Sequence, residues 1–300
     1  MKLMVFDVGG TEIKYALMDE DLKIYDRGYV PTPKNSFDEF ADQIYEIYIK
    51  HKDEAEGIAM SLPGFVDSDK GRVNGGGALR YNQRTEVGPL LEEKCGCKVV
   101  LINDGKAAAE AEFAKGSLIG CQNAAVFVIG TGVGGGLIVN REVVMGKHFS
   151  AGEFSFINVD QNHFGQADSC LGNICSALAL LRKYEEKTGE VIDGREFFMR
   201  LENDDNAKEA LDEFSEDVAK EIYNLYWLLD LEKIAIGGGI SKQRILVDKI
   251  NEKFRLILND CFIPYFKNII NIEIVPATFG NDANLIGAFI AYLRRSDKDG

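Results

Sequence analysis

A short apolar strand that runs into a glycine turn and returns as a second strand occurs twice in this chain. Val5-Phe6-Asp7-Val8-Gly9-Gly10-Thr11 is followed by Ile13-Lys14-Tyr15-Ala16-Leu17-Met18, and Val126-Phe127-Val128-Ile129-Gly130-Thr131-Gly132 by Gly134-Gly135-Gly136-Leu137-Ile138-Val139. Each segment reads as a β-hairpin. Two copies of one unit restrict the fold to a duplicated α/β protein, and predict two related lobes with a cleft between them.

The residues between the hairpins agree. Ser36-Phe37-Asp38-Glu39 has the form of a capping box and opens an amphipathic helix running to about His51, a residue expected to face solvent. Residues 57–62 read as a buried strand ending at Pro63-Gly64. Residues 98–102 read as another, with Asn103-Asp104 at its end and an alanine-rich helix over 106–114. The second half predicts helices over 169–187, 207–229, 243–260 and 282–295, and strands over 233–236 and 270–275. No Pro/Ser-rich linker interrupts the chain. The predicted division is a small N-terminal lobe of residues 1–117 plus 286–300 and a large C-terminal lobe of 118–285.

Three glycine turns follow apolar strands: Gly9-Gly10-Thr11, Gly130-Thr131-Gly132, and Gly237-Gly238-Gly239. Glycine lets backbone N–H groups approach and point at a polyphosphate, so three such turns predict a nucleotide site. The dinucleotide pattern Gly130-x-Gly132-x-x-Gly135 does not apply, because that motif must open a helix and here an apolar strand follows. Asp7 interrupts an apolar strand and needs a partner, either Mg²⁺ held through water beside the phosphates, a salt bridge to Lys14 or a hydrogen bond to a turn amide. Asn103-Asp104 is the candidate catalytic pair: a carboxylate at a helix N-terminus stays ionised and can accept a hydroxyl proton while Asn103 fixes that hydroxyl, although both residues also suit an ordinary helix cap. Glu153, after the small-residue turn Ala151-Gly152, is a candidate ligand for a polyol hydroxyl.

Composition excludes other partners. Forty-eight acids against 34 Lys and Arg leave a formal charge of −14, which repels nucleic acid and anionic membrane. No apolar run approaches a membrane span and no signal peptide is evident, so a cytoplasmic protein with six reduced cysteines is expected.

Taken together, Asp7-Val-Gly-Gly-Thr11-Glu-Ile-Lys14, Ser61-Leu-Pro-Gly64-Phe-Val-Asp67, Asn103-Asp104, the Gly130–Gly136 run, Gly152-Glu153-Phe154 and Gly237-Gly-Gly-Ile240 resemble the ROK family of sugar kinases and repressors. The resemblance implies a two-lobed actin-like, ribonuclease-H-like fold, ATP with Mg²⁺, a small-molecule sugar substrate and a homodimer. It implies that Asp104 is the general base and that Asn103, Glu153, Gly64, Gly76 and Gly77 meet the sugar. Asp7, Gly9, Gly10, Thr11, Lys14, Gly130, Thr131, Gly132, Gly134, Gly135, Gly238 and Gly239 are implied to meet ATP and Mg²⁺. Most members carry a zinc-binding His and Cys cluster; here Phe156 stands where that His should be, and His163 and Gly165 stand for two of the cysteines, so structural zinc is expected to be absent. Gly172 replaces a sugar-binding Glu. These departures, with Gly76-Gly77-Ala78-Leu79-Arg80 and Tyr223-Asn224-Leu225, resemble the β-glucoside kinases, which phosphorylate the 6-hydroxyl of cellobiose-like sugars. Glucokinase and N-acetylmannosamine kinase are the alternatives. A sugar-responsive repressor is disfavoured by the acidic charge and by the phosphate hairpin beginning at Asp7; a catalytically silent sugar-binding regulator is a further reading, given Gly105 and Lys106 after the catalytic pair.

Overall fold

A computed structural model describes residues 1–299; residue 300, assigned above to the small lobe, lies outside the described residues. The chain divides into two compact units. Unit 1 holds Met1–Ala114, Met145–Ala151 and the segment from Asp282 onward; unit 2 holds Lys115–Val144 and Gly152–Asn281.

In unit 1 the strands are β1 (Lys2–Val8), β2 (Glu12–Asp19), β3 (Ile24–Pro31), β4 (Gly57–Leu62), β5 (Phe65–Asp67), β6 (Arg72–Gly75) and β7 (Lys98–Asn103). Five of them form a sheet in the order β3-β2-β1-β4-β7, and β5 pairs with β6 separately. β1 runs antiparallel to β2 and parallel to β4, and β4 parallel to β7. Leu3 to Val8 and all of β4 are buried, as strands covered on both faces must be. The helices are α1 (Phe37–Tyr48), α2 (Val87–Cys95) and α3 (Asp104–Lys115). Ser36 caps α1 by accepting the Glu39 N–H, which is one half of the predicted capping box. His51 falls in the turn after α1, and its ring pairs with Asp26 at 3.1 Å with the side chain only 16% exposed, so it is half-buried and partnered rather than solvated.

Unit 2 repeats the plan. Its sheet has the order β10-β9-β8-β11-β12, built from β8 (Ala124–Ile129), β9 (Val133–Val139), β10 (Glu142–Val143), β11 (Lys233–Gly237) and β12 (Glu273–Pro276). Again a meander of three antiparallel strands is followed by two parallel ones. The helices are α4 (Leu171–Ile174), α5 (Ala177–Thr188), α6 (Gly194–Arg200), α7 (Asp205–Leu229), α8 (Arg244–Asp260) and α9 (Phe266–Ile269). The last helix, α10 (Ala283–Asp299), returns to unit 1 and packs on β1, β4 and β7. The helix expected over 169–187 is broken at Cys175, because the Ser176 side chain accepts the Ala179 N–H and starts α5 afresh. The strand expected over 270–275 begins later, at Glu273, after the short helix α9.

Ladder positions match residue for residue between the two sheets. Asp7 sits opposite Lys14 and beside Ser61, and Val128 sits opposite Gly134 and beside Gly237. Counting on along the next parallel strand sets Asn103 against Thr278 and Asp104 against Phe279. Each polar residue proposed for chemistry in unit 1 thus has an apolar, small or neutral counterpart in unit 2.

Candidate active site

The carbonyl ends of β1, β4 and β7 gather four of the motifs within unit 1. At the first, Gly9 N–H donates to the Glu12 carbonyl and closes the hairpin turn at 2.9 Å. A methyl added to Gly10 would lie 2.9 Å from the Ala78 methyl, so this turn touches the Gly76-Gly77-Ala78 segment. That segment in turn abuts Gly64: at φ +93°, a side chain on Gly64 would stand 1.9 Å from the Gly75 carbonyl and 2.9 Å from the Gly77 nitrogen. The Gly64 carbonyl accepts a hydrogen bond from Asn103 Nδ2 at 2.9 Å. Residues distant in sequence therefore meet in a continuous line from Thr11 to Asp104.

Asn103 and Asp104, the candidate catalytic pair, form a cap and are fixed by hydrogen bonds. Asn103 Oδ1 accepts the Lys106 N–H at 3.1 Å, which caps α3. Its Nδ2 also donates to Asp104 Oδ1 at 2.9 Å, and the Gly105 N–H donates to the same oxygen at 2.8 Å. Two donors on one oxygen fix the plane of the carboxylate. The helix begins at Asp104 itself rather than at 106, so the carboxylate belongs to the first turn, where the helix dipole favours negative charge.

Asp7 is 9% exposed and its carboxyl is raised above the ordinary carboxylate range, because burial outweighs the Asn284 hydrogen bond and the Lys14 charge. Asn284 Nδ2 donates to Oδ1 at 3.0 Å, and Lys14 Nζ lies 3.9 Å from Oδ2 and 3.7 Å from Glu12. Of the partners the sequence offers Asp7, Lys14 is in place; Asn284, 277 positions away, carries no sequence signal. A buried carboxylate beside a glycine turn of the kind that binds phosphate suits Mg²⁺, which keeps most of its water and takes one or two protein carboxylates with substrate phosphates.

In unit 2, the Gly130 and Gly238 turns stand at the ends of the adjacent parallel strands β8 and β11. The Gly130 N–H donates to the Gly132 carbonyl at 2.9 Å. Gly238 has φ +94°, and a side chain there would meet the Ile129 carbonyl at 2.1 Å, so the two turns lie backbone to backbone. A cleft of about 660 Å³ opens next to them, lined by residues including Ser241, Lys242, Arg244, Asp248, Thr278 and Phe279. Gly135 lies inside β9, where the Phe154 ring occupies the space a methyl would need. Gly152 packs on Gly136, so the glycine run of β9 seats the segment that carries Glu153. Gly172 packs on Ser155, whose hydroxyl holds Val133 through bonds of 3.0 and 2.8 Å. Phe156 is 69% exposed. His163 pairs with Asp160 at 2.6 Å and the Cys170 thiol donates to the Gln166 carbonyl.

Two units of this topology, each with glycine turns at its strand ends, define an actin-like, ribonuclease-H-like kinase fold. The chain belongs to the ROK family, whose model matches residues 4–295. It is 29% identical over 304 residues to the beta-glucoside kinase of Listeria monocytogenes, covering 99% of each chain. It is also 29% identical to the glucokinase of Halalkalibacterium halodurans, covering 94% of this chain and 92% of that one. Among solved structures, a ROK family protein from Streptococcus pneumoniae in complex with sucrose superposes with a TM-score of 0.88 at 25% identity, covering 99% of this chain and all of that one. The sequence relatives are carbohydrate kinases. No helix among the described residues is long and apolar enough to cross a membrane.

Proposed function

We propose that the protein is an ATP-dependent sugar kinase that transfers the γ-phosphoryl group to a sugar hydroxyl. The observation that carries this reading is the unbroken line of contacts from the Gly9–Thr11 turn through Ala78, Gly77 and Gly64 to Asn103 and Asp104. It sets a phosphate-binding turn and a fixed carboxylate on one surface. Asp104 takes the proton as the sugar oxygen bonds to phosphorus and ADP departs, while Asn103 and the Gly64 and Gly76-Gly77 backbone of unit 1 orient the sugar; Glu153, in unit 2, keeps the hydroxyl-ligand role that the resemblance implies. In unit 1 the Gly10 and Thr11 amides of the Gly9 turn are the phosphate donors of this reading; in unit 2 they are the Thr131, Gly132, Gly238 and Gly239 amides of the Gly130 and Gly238 turns, and the cleft beside Gly238 takes the nucleoside. Mg²⁺, held through water by Asp7, would offset phosphate charge. ATP use and free thiols at all six cysteines fit a cytoplasmic setting; the homodimer rests on the resemblance alone.

Within that class the reading favours a β-glucoside. Phe156 offers an exposed ring on which a second sugar could stack, and Gly172 supplies no hydroxyl ligand. The glucokinase relative keeps glucose as the second reading. Measuring ADP release with cellobiose, gentiobiose, glucose, fructose and N-acetylmannosamine tests both. The β-glucoside reading expects the disaccharides to have the higher kcat/KM. A preference for glucose or N-acetylmannosamine of about tenfold or more, about 1.4 kcal/mol, contradicts it. Phe156→Ala is the cleaner companion variant, since Gly172→Glu would drive a side chain into Ser155, whose hydroxyl would stand 2.7 Å from the new Cβ.

A further inference from the structure

We infer that Lys34, and not Lys14, is the lysine that contacts the nucleotide's terminal phosphates; this rests on the proposed kinase function. The sequence motif points to Lys14, but its ammonium is balanced by two carboxylates, Asp7 at 3.9 Å and Glu12 at 3.7 Å. Lys34 stands differently. Its ammonium donates to the Gly10 carbonyl, the middle residue of the first glycine turn, and among the described residues it makes no ion pair. One neutral acceptor uses one of three ammonium donors and leaves the charge uncompensated, in a chain whose formal charge is −14.

The backbone that carries Lys34 is built onto the turn. Thr32 Oγ1 donates to the Gly9 carbonyl at 2.8 Å, the Thr32 N–H donates to the Thr11 carbonyl at 2.9 Å, and the Tyr81 hydroxyl donates to the Pro33 carbonyl at 2.8 Å. Thr32 is 3% exposed, so the anchor is buried while the lysine beyond it is exposed. The turn's carbonyls are thus engaged from the Thr32–Lys34 side by hydroxyl, amide and ammonium donors. Lys34 is exposed and its stem is flexible, so the ammonium can leave the Gly10 carbonyl and turn to a polyphosphate held on the turn's amides.

Calorimetric titration of wild type, Lys34→Met and Lys34→Arg with MgATP and with AMP tests the inference. A charge-assisted contact predicts that Lys34→Met weakens MgATP by about tenfold or more, and that Lys34→Arg stays within about threefold. AMP affinity, the KM for sugar and the melting temperature should not move. Unchanged MgATP affinity in Lys34→Met overturns the inference, as does an equal loss for AMP accompanied by a lower melting temperature, which is the mark of a merely structural lysine. If wild type binds no MgATP, the kinase reading itself fails and this inference falls with it.

Discussion

Asp7 is a carboxylate buried at a cost to stability. Its carboxyl is raised by burial, so between the ordinary value of 3.8 and its folded value the native state holds a proton that the unfolded chain releases. Stability therefore falls as pH rises through that window, and the cost is complete only above the folded value. Asp7→Asn removes the buried charge, keeps an oxygen for Asn284 and leaves Lys14 with Glu12. The variant should melt higher than wild type at neutral pH, lose that advantage in acid, and lose activity on the order of tenfold or more if Asp7 serves Mg²⁺. Thermal melts across pH beside ADP-release rates check both halves; a variant that melts lower at neutral pH shows that the Lys14 pairing outweighs burial.

Turns and caps, more than strands, decide what the elements do. Gly238→Ala would place a methyl 2.1 Å from the Ile129 carbonyl at a positive φ, forcing β11 away from β8 and disturbing both unit 2 turns. The expected cost is about 1–3 kcal/mol of stability together with weaker ATP binding, measurable by denaturant unfolding and calorimetry. An alanine that leaves both unchanged would detach Gly238 from the proposed site. At this scale the sequence was readable where the period was clean: β4 runs from Gly57 to Leu62 as expected, and β7 ends at Asn103, one residue beyond the expected limit. It was opaque where tertiary contacts chose. Helix α2 lacks a side-chain cap, β5 and β6 are short, and the Ser176 cap that splits 169–187 is one hydroxyl among many in the sequence. Of the site, Asn103-Asp104 was legible because two cap-forming residues followed an apolar strand. Asn284 and Lys34 were not, since each reaches its partner through the fold and carries no local pattern.

The whole molecule is a duplication whose copies have diverged in chemistry. Unit 1 has Asp7, Lys14, Asn103 and Asp104 where unit 2 has Val128, Gly134, Thr278 and Phe279, so these two carboxylates and the Asn103 cap have no counterpart at those positions of unit 2. The Mg²⁺ proposed at Asp7 would serve phosphates, not the fold. Chelation should therefore stop turnover without moving the melting temperature, and a fall in melting temperature would reveal a structural metal instead. The central claim is that the surface from Gly9 to Asp104 phosphorylates sugars with Asp104 as base. The most direct measurement is sugar-dependent ADP release by wild type and Asp104→Asn, with sugar binding followed in parallel by calorimetry. The account predicts that release depends on sugar, that the variant loses about 10²-fold or more in kcat, and that it still binds sugar. A variant within about threefold of wild type, or ATP hydrolysis by wild type that no sugar stimulates, would contradict it.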